Sequence, residues 1–217
     1  MLKLLNFDTV FGNIFMELKR KEKNQRMLLH DELERKISAG EIDFSGSLRK
    51  DSLLLTLGGY YQSLSQTETI IDPYDSQSLE NLYEDLIADW DEFELKPRQF
   101  VLISTSEHLR LDARHYGLIS TLSHIARLGI MAHAASFFVD RSFDGYLTLE
   151  FVNLTNHSFV LHKNMPVAKL IIYETVNSTE KTEEPAVKHG THYGKPNELK
   201  SHFSHEFSRI VKGEKND

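Results

Sequence analysis

The stretch that decides how this chain is interpreted runs from residue 123 to residue 150 and reads SHIARLGIMAHAASFFVDRSFDGYLTLE. It contains the hydroxyl of Ser123, the guanidinium of Arg127 and the carboxylate of Asp140, which is followed three residues later by the aromatic ring of Phe143. A second carboxylate, Glu150, lies within an apolar run. Such groups together can bind the phosphates and sugar of a nucleotide and move protons on its base. The stretch therefore predicts a nucleotide site.

Glu150 belongs to a predicted strand over residues 146–153. Positions 147, 149 and 151 form one apolar face, and the opposite face, which holds Glu150, is also largely apolar. A carboxylate in that position would be partly desolvated, which suits a general base. An exposed edge position without a catalytic part is the structural alternative.

Ser123 and Arg127 are four residues apart and would share one face of a helical turn. The planar guanidinium suits a phosphate, and the hydroxyl can donate or accept a hydrogen bond. Asp140 could bind a sugar hydroxyl while Phe143 stacks against the sugar. Taken singly, each pair also fits an ordinary surface turn.

The composition limits the chemistry and the partners of the chain. Its 217 residues suffice for one domain with a sizeable core, and its net charge of −7 argues against a protein that grips nucleic-acid backbone. The absence of cysteine excludes disulfides, thiolate nucleophiles and Cys-containing zinc sites, including the H-x-E…P-C-x-x-C arrangement of zinc base deaminases. No apolar run is long enough to span a membrane, and a cytoplasmic protein is expected.

From residue 95 onward, short apolar runs separated by turn signals predict β-strands. Many short strands at this spacing are typical of an all-β barrel or jelly roll. Before them, we expect a helix at 31–38 and a strand at 53–57. The later strands are expected at 100–104, 117–122, 146–153, 158–162 and 167–173.

Two further helices and a tail are expected around this β-rich region. Apolar residues at helical spacing predict an amphipathic helix over residues 1–25, packed on the core or at a subunit interface. Residues 66–94 contain ten acidic residues and no Lys or Arg, and the spacing of their apolar residues predicts an acidic amphipathic helix. The tail 177–217 is polar; two H-x-x-H pairs in it have a spacing that zinc could use, but a solvated tail without a metal site is favoured.

The middle of the chain resembles the dCTP deaminase branch of the dUTPase and dCTP deaminase superfamily. The family pattern is approximately S-S-x-x-R-x-G-x-x-x-H, then I-D-P-G-[FW]-x-G, then T-L-E, and it matches without a gap. The matched residues are Ser123, Arg127, Gly129, His133, Asp140, Phe143, Gly145, Thr148, Leu149 and Glu150. The resemblance covers most of residues 27–195. It implies a dUTPase-like distorted β-barrel over 26–176, with the acidic helix at 66–94 as an insertion and the tail 177–217 able to close over the site.

The resemblance also implies a homotrimer with active sites shared between subunits. Glu150 would activate a water that attacks C4 of cytosine, Ser123 would position that water and the base, and Arg127 would reach the substrate from a neighbouring subunit. Asp140 would bind the 3′-hydroxyl of deoxyribose, and Phe143 would exclude a 2′-hydroxyl. By the same resemblance, no zinc would take part, Mg²⁺ would accompany the triphosphate, and dCTP would yield dUTP and ammonia.

The chain departs from the family pattern around the phosphates. Leu122 stands where the family has Lys or Arg, an Ala-Ser pair replaces the family's Thr-Ala pair, and the tail lacks the expected Gln. Further predicted substrate contacts are Ala135, Ser136, Arg141, Lys169, Lys188, Tyr193 and Lys195. The catalytic residues are retained whereas the phosphate contacts are changed. Two alternatives to the deaminase therefore stay open: a dUTPase-like or bifunctional triphosphate hydrolase, and a non-catalytic nucleotide-binding regulatory protein.

Overall fold

The computed structural model describes residues 25–65, 70–175 and 194–200. The amphipathic helix expected near the N-terminus lies outside these residues except for its last position, and so does most of the tail, including Lys188 and Tyr193. Those expectations stay predictions.

Twelve strands and three short helices make up the described part of the chain. The helices are α1 (His30–Ser38), α2 (Ser76–Glu80) and α3 (Ser123–Ala126). The strands are β1 (Gln25–Met27), β2 (Ile42–Phe44), β3 (Leu53–Ser63), β4 (Ile87–Ala88), β5 (Glu92–Leu95), β6 (Phe100–Leu111), β7 (His115–Thr121), β8 (Ile130–Met131), β9 (Phe138–Val139), β10 (Asp144–Asn153), β11 (Phe159–His162) and β12 (Pro166–Thr175). All the strands predicted after residue 95 are confirmed, as is the helix at 31–38. In the part of the chain described, no helix has the length and apolar character needed to cross a bilayer.

Ten of the strands form one antiparallel sheet that curls into an open half-barrel. Its main path runs β8–β10–β6–β3–β12–β7–β9, with β1 added to β12, β2 to β6 and β4 to β3, while β11 and β5 pair separately. The curl follows from the natural twist between strands and from irregularities in the β10–β6 and β3–β6 ladders. The mainly β fold predicted from the sequence is confirmed.

The inner face of the sheet forms the apolar core. In β10, Leu147, Leu149 and Phe151 are buried and the residues between them are half-exposed. Successive side chains of a strand point to opposite faces, so β10 packs into the core on one side and presents Glu150 on the other. Burial of each such apolar side chain contributes about 1.5–3 kcal/mol relative to leaving it exposed.

The expected acidic helix over residues 66–94 is wrong. Within the described residues of this segment only Ser76–Glu80 is helical, after which β4 pairs with β3 and β5 pairs with β11. A longer helix would bring like charges together at i, i+4 without a basic partner, whereas neighbouring strand edges offer backbone hydrogen bonds. Leu79 and Trp90, whose spacing suggested a helix, are both buried but do not belong to one helix. Asp89 has a φ of +52°, a left-handed conformation that a continuous α-helix cannot contain.

An ion network fastens β1 and α1 to the sheet. Glu174 of β12 is at its centre: Oε1 accepts a hydrogen bond from Lys36 Nζ at 2.8 Å, and Oε2 accepts one from Arg26 Nη2 at 2.7 Å. Lys36 also donates to Glu41 at 2.6 Å, and Arg26 pairs with Glu32. Because these partners come from distant parts of the chain, the network joins the N-terminal elements to β12.

The same contacts keep Glu174 charged. Burial by itself would raise the pKa of Glu174, but hydrogen bonds from Lys36 and Arg26 outweigh it and lower the pKa from 4.5 to about 2. A carboxylate whose pKa is lower in the folded state stabilises the fold above its unfolded pKa. That contribution is lost as the pH falls through the folded pKa.

We therefore expect Glu174→Gln to flatten the fall in the free energy of unfolding between about pH 5 and pH 2, the range set by the pKa values of 4.5 and about 2. Urea unfolding at stepped pH values measures this. Glu94→Gln, on an exposed strand position, is the control and should leave the slope as in the wild type. A Glu174→Gln protein whose stability falls as steeply as that of the wild type would contradict the role of the network.

Candidate active site

The carboxylate of Glu150 is anchored by main-chain donors. Its side chain lies on the half-exposed face of β10, where Oε2 accepts hydrogen bonds from the amides of Ala135 at 2.7 Å and Ser136 at 3.0 Å. Among the described residues, Oε1 has no hydrogen-bond partner. Two N–H donors on one oxygen stabilise the anion and fix its orientation. The other oxygen is therefore available to a group placed beside it.

The segment after β8 brings these amides to Glu150. Met131 pairs with Val152, and His133 forms a bridge with Glu150. The backbone N–H of Ala134 then donates to the carbonyl of Glu150 at 3.0 Å. Because this segment is hydrogen-bonded along the end of β10, the position of the two amides is set by the sheet.

Ser123 and Arg127 lie on the helical turn that precedes this segment. The predicted turn is present as α3, with the N–H of Arg127 donating to the carbonyl of Ser123 at 3.1 Å. Both side chains are exposed, while Leu122 and Ile125 are buried and anchor the turn to the core. Within the described residues, neither side chain hydrogen-bonds to Glu150 of the same chain.

The turn from Asp140 to Phe143 links β9 to β10. Asp140 is exposed, and Phe143 is half-buried against the core. Ser142 has a φ of +62°, a left-handed conformation that is unfavourable for most residues other than glycine. The β6–β7 connection holds the turn: Ser142 N donates to Asp112 O at 3.2 Å, and Leu111 N donates to Phe143 O at 2.9 Å. The conformation of the turn therefore depends on its neighbours.

A C-terminal segment, residues 194–200, returns to the start of β10. The carbonyl of Gly194 accepts a hydrogen bond from Tyr146 N at 2.7 Å, and Gly145 packs directly against Gly194. A Cβ on Gly145 would lie 2.3 Å from Gly194 Cα, and the φ of +149° also favours glycine there. This approach of two backbones requires glycine at both positions.

The far end of the same segment contacts the acidic stretch 66–94, which was expected to be an insertion. Lys200 Nζ lies 2.6 Å from Glu80 Oε2 and 5.8 Å from the centre of the Tyr83 ring. Residues of the segment and of the insertion line a cavity of about 390 Å³. None of the predicted site residues that the structure describes lines it, so this cavity is separate from the described part of the candidate active site.

The predicted phosphate-binding cations have different surroundings. Arg141 is exposed on the turn before β10, and Lys169 is half-buried in the middle of β12. Lys195 is exposed, and its ammonium is paired with Glu198 at 2.7 Å. Across residues 25–65, 70–175 and 194–200, no ion pair joins any of these cations to Glu150. Their part in phosphate binding stays a prediction.

One partly buried cluster has ligand atoms at a spacing that a metal could use. Glu41, His115 and Glu174 each offer one such atom, all within 4.8 Å of one another. The ammonium of Lys36, however, already lies 2.6 Å from Glu41 Oε2 and 2.8 Å from Glu174 Oε1. Because a cation of the chain itself neutralises these carboxylates, we assign no metal to the cluster.

Sequence reasoning missed two features of this region. The substrate contacts of Ala135 and Ser136 stay a prediction, but the sequence did not indicate that the main-chain N–H groups of both residues hold Glu150, because this role depends on no particular side chain. Sequence reasoning also missed the pair of Asp112 and His115, whose D-x-x-H spacing was the one local signal.

Comparison with known proteins relates the chain to one family. A family model described as dCTP deaminase-like matches residues 23–175. Over 154 residues the chain is 32% identical to the "dCTP deaminase, dUMP-forming" of Methanoculleus marisnigri, which covers 69% of this chain and 81% of that relative. Over 150 residues it is 30% identical to the "dCTP deaminase" of Pyrobaculum arsenaticum, covering 67% of this chain and 83% of the relative.

A solved structure shares the fold. The chain is similar to the 2′-deoxycytidine 5′-triphosphate deaminase from Agrobacterium tumefaciens, with a TM-score of 0.54 and 16% identity. The alignment covers 70% of this chain and 47% of that one, so this chain spans about half the length of that protein. At this identity the likeness concerns the fold alone.

We expect Gly145→Ala to detach residues 194–200 from β10, because the new Cβ would collide with the backbone of Gly194. Hydrogen exchange at the Tyr146 amide and across the segment should become faster. Gly40→Ala is a matched control, since Gly40 has a φ of +72° but nothing within 4 Å of an added Cβ. Unchanged exchange at Tyr146, or an equal increase in both variants, would contradict the contact.

Proposed function

Because the chain belongs to the dCTP deaminase-like family, we propose that it removes the 4-amino group of a deoxycytidine nucleotide by hydrolysis, with dCTP as the substrate. The names of its relatives support nucleotide deamination. The single observation that carries the proposal for this chain is the Glu150 carboxylate, which has one oxygen anchored and the other available.

Glu150 is the general base of the proposed reaction. Its Oε1 takes a proton from water as the water oxygen bonds to C4 of cytosine, and this proton passes to N3 of the ring. Glu150 next takes the proton of the new hydroxyl and delivers it to the 4-amino nitrogen. The C4–N4 bond then breaks, ammonia leaves, and the C4 carbonyl of uracil remains.

The path of the chain suits a nucleotide that lies along β10. Ser136 contacts Glu150, and Asp140 follows four residues later, at most about 14 Å away along an extended chain. With the base beside Glu150, the sugar then lies at the turn. Asp140 binds the 3′-hydroxyl, and Phe143, held against the core, leaves no room for a 2′-hydroxyl.

Ser123 and Arg127 complete the proposed site. Ser123 positions the water and the base, and Arg127 reaches the substrate bound to a neighbouring subunit of a homotrimer. The exposure of both side chains, and the lack of any hydrogen bond from either to Glu150 within the described part of their own chain, support this arrangement.

The substrate in this proposal is the Mg²⁺ complex of the triphosphate. Its phosphates meet cationic and hydroxyl side chains that lie outside the catalytic group. The residues assigned to the phosphates are Arg141, Lys169, Lys188, Tyr193 and Lys195. The chemistry needs no zinc, because Glu150 supplies the base and the chain has no cysteine for the arrangement of zinc base deaminases.

The first product of the proposed reaction is dUTP. A bifunctional reaction that continues to dUMP is the second candidate, since several relatives at about 32% identity carry the name "dCTP deaminase, dUMP-forming". The non-catalytic alternative predicts nucleotide binding without turnover.

We expect purified protein to release ammonia from dCTP, and Glu150→Gln to lower the rate by about 10²–10⁴-fold while nucleotide binding persists. The amide keeps the size of the side chain but cannot accept the proton. Ammonia release and calorimetric binding of dCTP measure the two effects. Glu94→Gln should match the wild type.

Absence of ammonia release from dCTP, dCMP and deoxycytidine would refute the deaminase. Binding of dCTP by such an inactive protein would favour the regulatory alternative. Equal rates for the wild type and Glu150→Gln would refute the role of Glu150 while leaving the reaction in place.

Pyrophosphate release separates the two enzymatic candidates. If dUTP is the final product, incubation with dCTP should yield ammonia without pyrophosphate, and added dUTP should remain intact. Release of pyrophosphate in step with ammonia, together with dUMP in the products, would instead establish the bifunctional reaction.

A further inference from the structure

The buried histidine at the start of β7 has no part in the proposed chemistry. His115 is 0% exposed, its Nδ1 donates to Asp112 Oδ1 at 2.6 Å, and its Nε2 lies 3.7 Å from Glu174 Oε1. Nε2 has no hydrogen-bond partner among the described residues. Because a carboxylate without a proton only accepts, Nδ1 carries the hydrogen that fixes Asp112.

Asp112 forms a rigid corner between β6 and β7. Its Oδ1 also accepts a hydrogen bond from Arg114 N at 2.8 Å, and its backbone carbonyl accepts one from His115 N at 3.3 Å. The same carbonyl accepts the hydrogen bond from Ser142. The side chain of Asp112 thus faces the buried histidine while its main chain holds the turn before β10.

We propose that His115 is a positioning residue of the nucleotide site, which acts through Asp112 to hold the turn from Asp140 to Phe143 at the sugar. This inference rests on the proposed function, which assigns Asp140 to the 3′-hydroxyl. On the other side of the histidine ring lies Glu174, which is itself held in place by Lys36 and Arg26.

The turn depends on this support because Ser142 adopts a left-handed conformation that its own sequence does not favour. Loss of the hydrogen bond from His115 lets Asp112 move, and the carbonyl that restrains Ser142 moves with it. Asp140 is then displaced from the sugar. Glu150 is anchored separately by the amides after β8, so the chemical step is preserved.

The test compares His115→Leu, which removes the donor, with His115→Asn, whose amide nitrogen can replace Nδ1. Lys36→Met is the matched control, because it breaks the same network on the far side of Glu174 without touching Asp112. For each variant we would measure thermal stability, kcat and KM for dCTP. Calorimetric affinity for dCTP, in a Glu150→Gln background, reports positioning without turnover.

We expect His115→Leu to raise KM and the dissociation constant for dCTP about tenfold, the factor that corresponds to the net contribution of one hydrogen bond, with kcat within about twofold of the wild type. His115→Asn should restore both constants, and Lys36→Met should lower stability without changing them. If His115→Leu does not fold, His115→Gln takes its place, since its longer side chain misplaces the donor.

Unchanged affinity in His115→Leu, no rescue by His115→Asn, or an equal loss of affinity in Lys36→Met would overturn the positioning role. Any of these results can occur in a protein that deaminates dCTP normally, which would leave the proposed function standing. A wild-type protein that neither binds nor deaminates dCTP would instead refute the proposed function and this inference together.

Discussion

The pairing of β10 with β6 fixes which face of the sheet carries the Glu150 carboxylate. Leu149 is paired with Ile103 and enters the core, so Glu150, paired with Leu102, points to the opposite face. A slip of one residue would bury the carboxylate and expose Leu149. The register of β10 against β6 therefore determines both the hydrophobic core and the position of Glu150. The free energy gained by burying the core residues stabilises this register.

Two glutamates of this protein are restrained in opposite ways. Glu174 accepts hydrogen bonds on both oxygens, from Lys36 and Arg26, and its charge is satisfied inside the network. Within the part of the chain that the structure describes, Glu150 accepts on one oxygen only, from neutral amides, on a half-exposed face. A carboxylate with hydrogen-bond partners on both oxygens connects parts of the fold. A carboxylate that is anchored through one oxygen can accept a proton from a bound group on the other.

Local sequence patterns predicted the features that depend on local physics. The alternation in β10, the helical turn at Ser123 and the strands after residue 95 follow from the side-chain periodicity of single segments. The helix predicted for the acidic stretch 66–94 was wrong because the helical spacing of its apolar residues is a coincidence. Leu79 and Trp90 are both buried, but only Leu79 lies in a helix. The partners of Glu174 were beyond prediction, since ion pairs between residues more than a hundred positions apart leave no local pattern.

The anchor of Glu150 has a consequence for how such a protein can change over time. Ala135 and Ser136 reach the carboxylate only through main-chain N–H groups, which every residue except proline supplies. An Ala-Ser pair and the Thr-Ala pair of the family pattern are therefore equivalent as anchors. Substitution at these two positions, except to proline, changes the side chains beside the carboxylate and leaves its main-chain anchor in place. The proposed function therefore allows substrate recognition to diverge while the general base keeps its orientation.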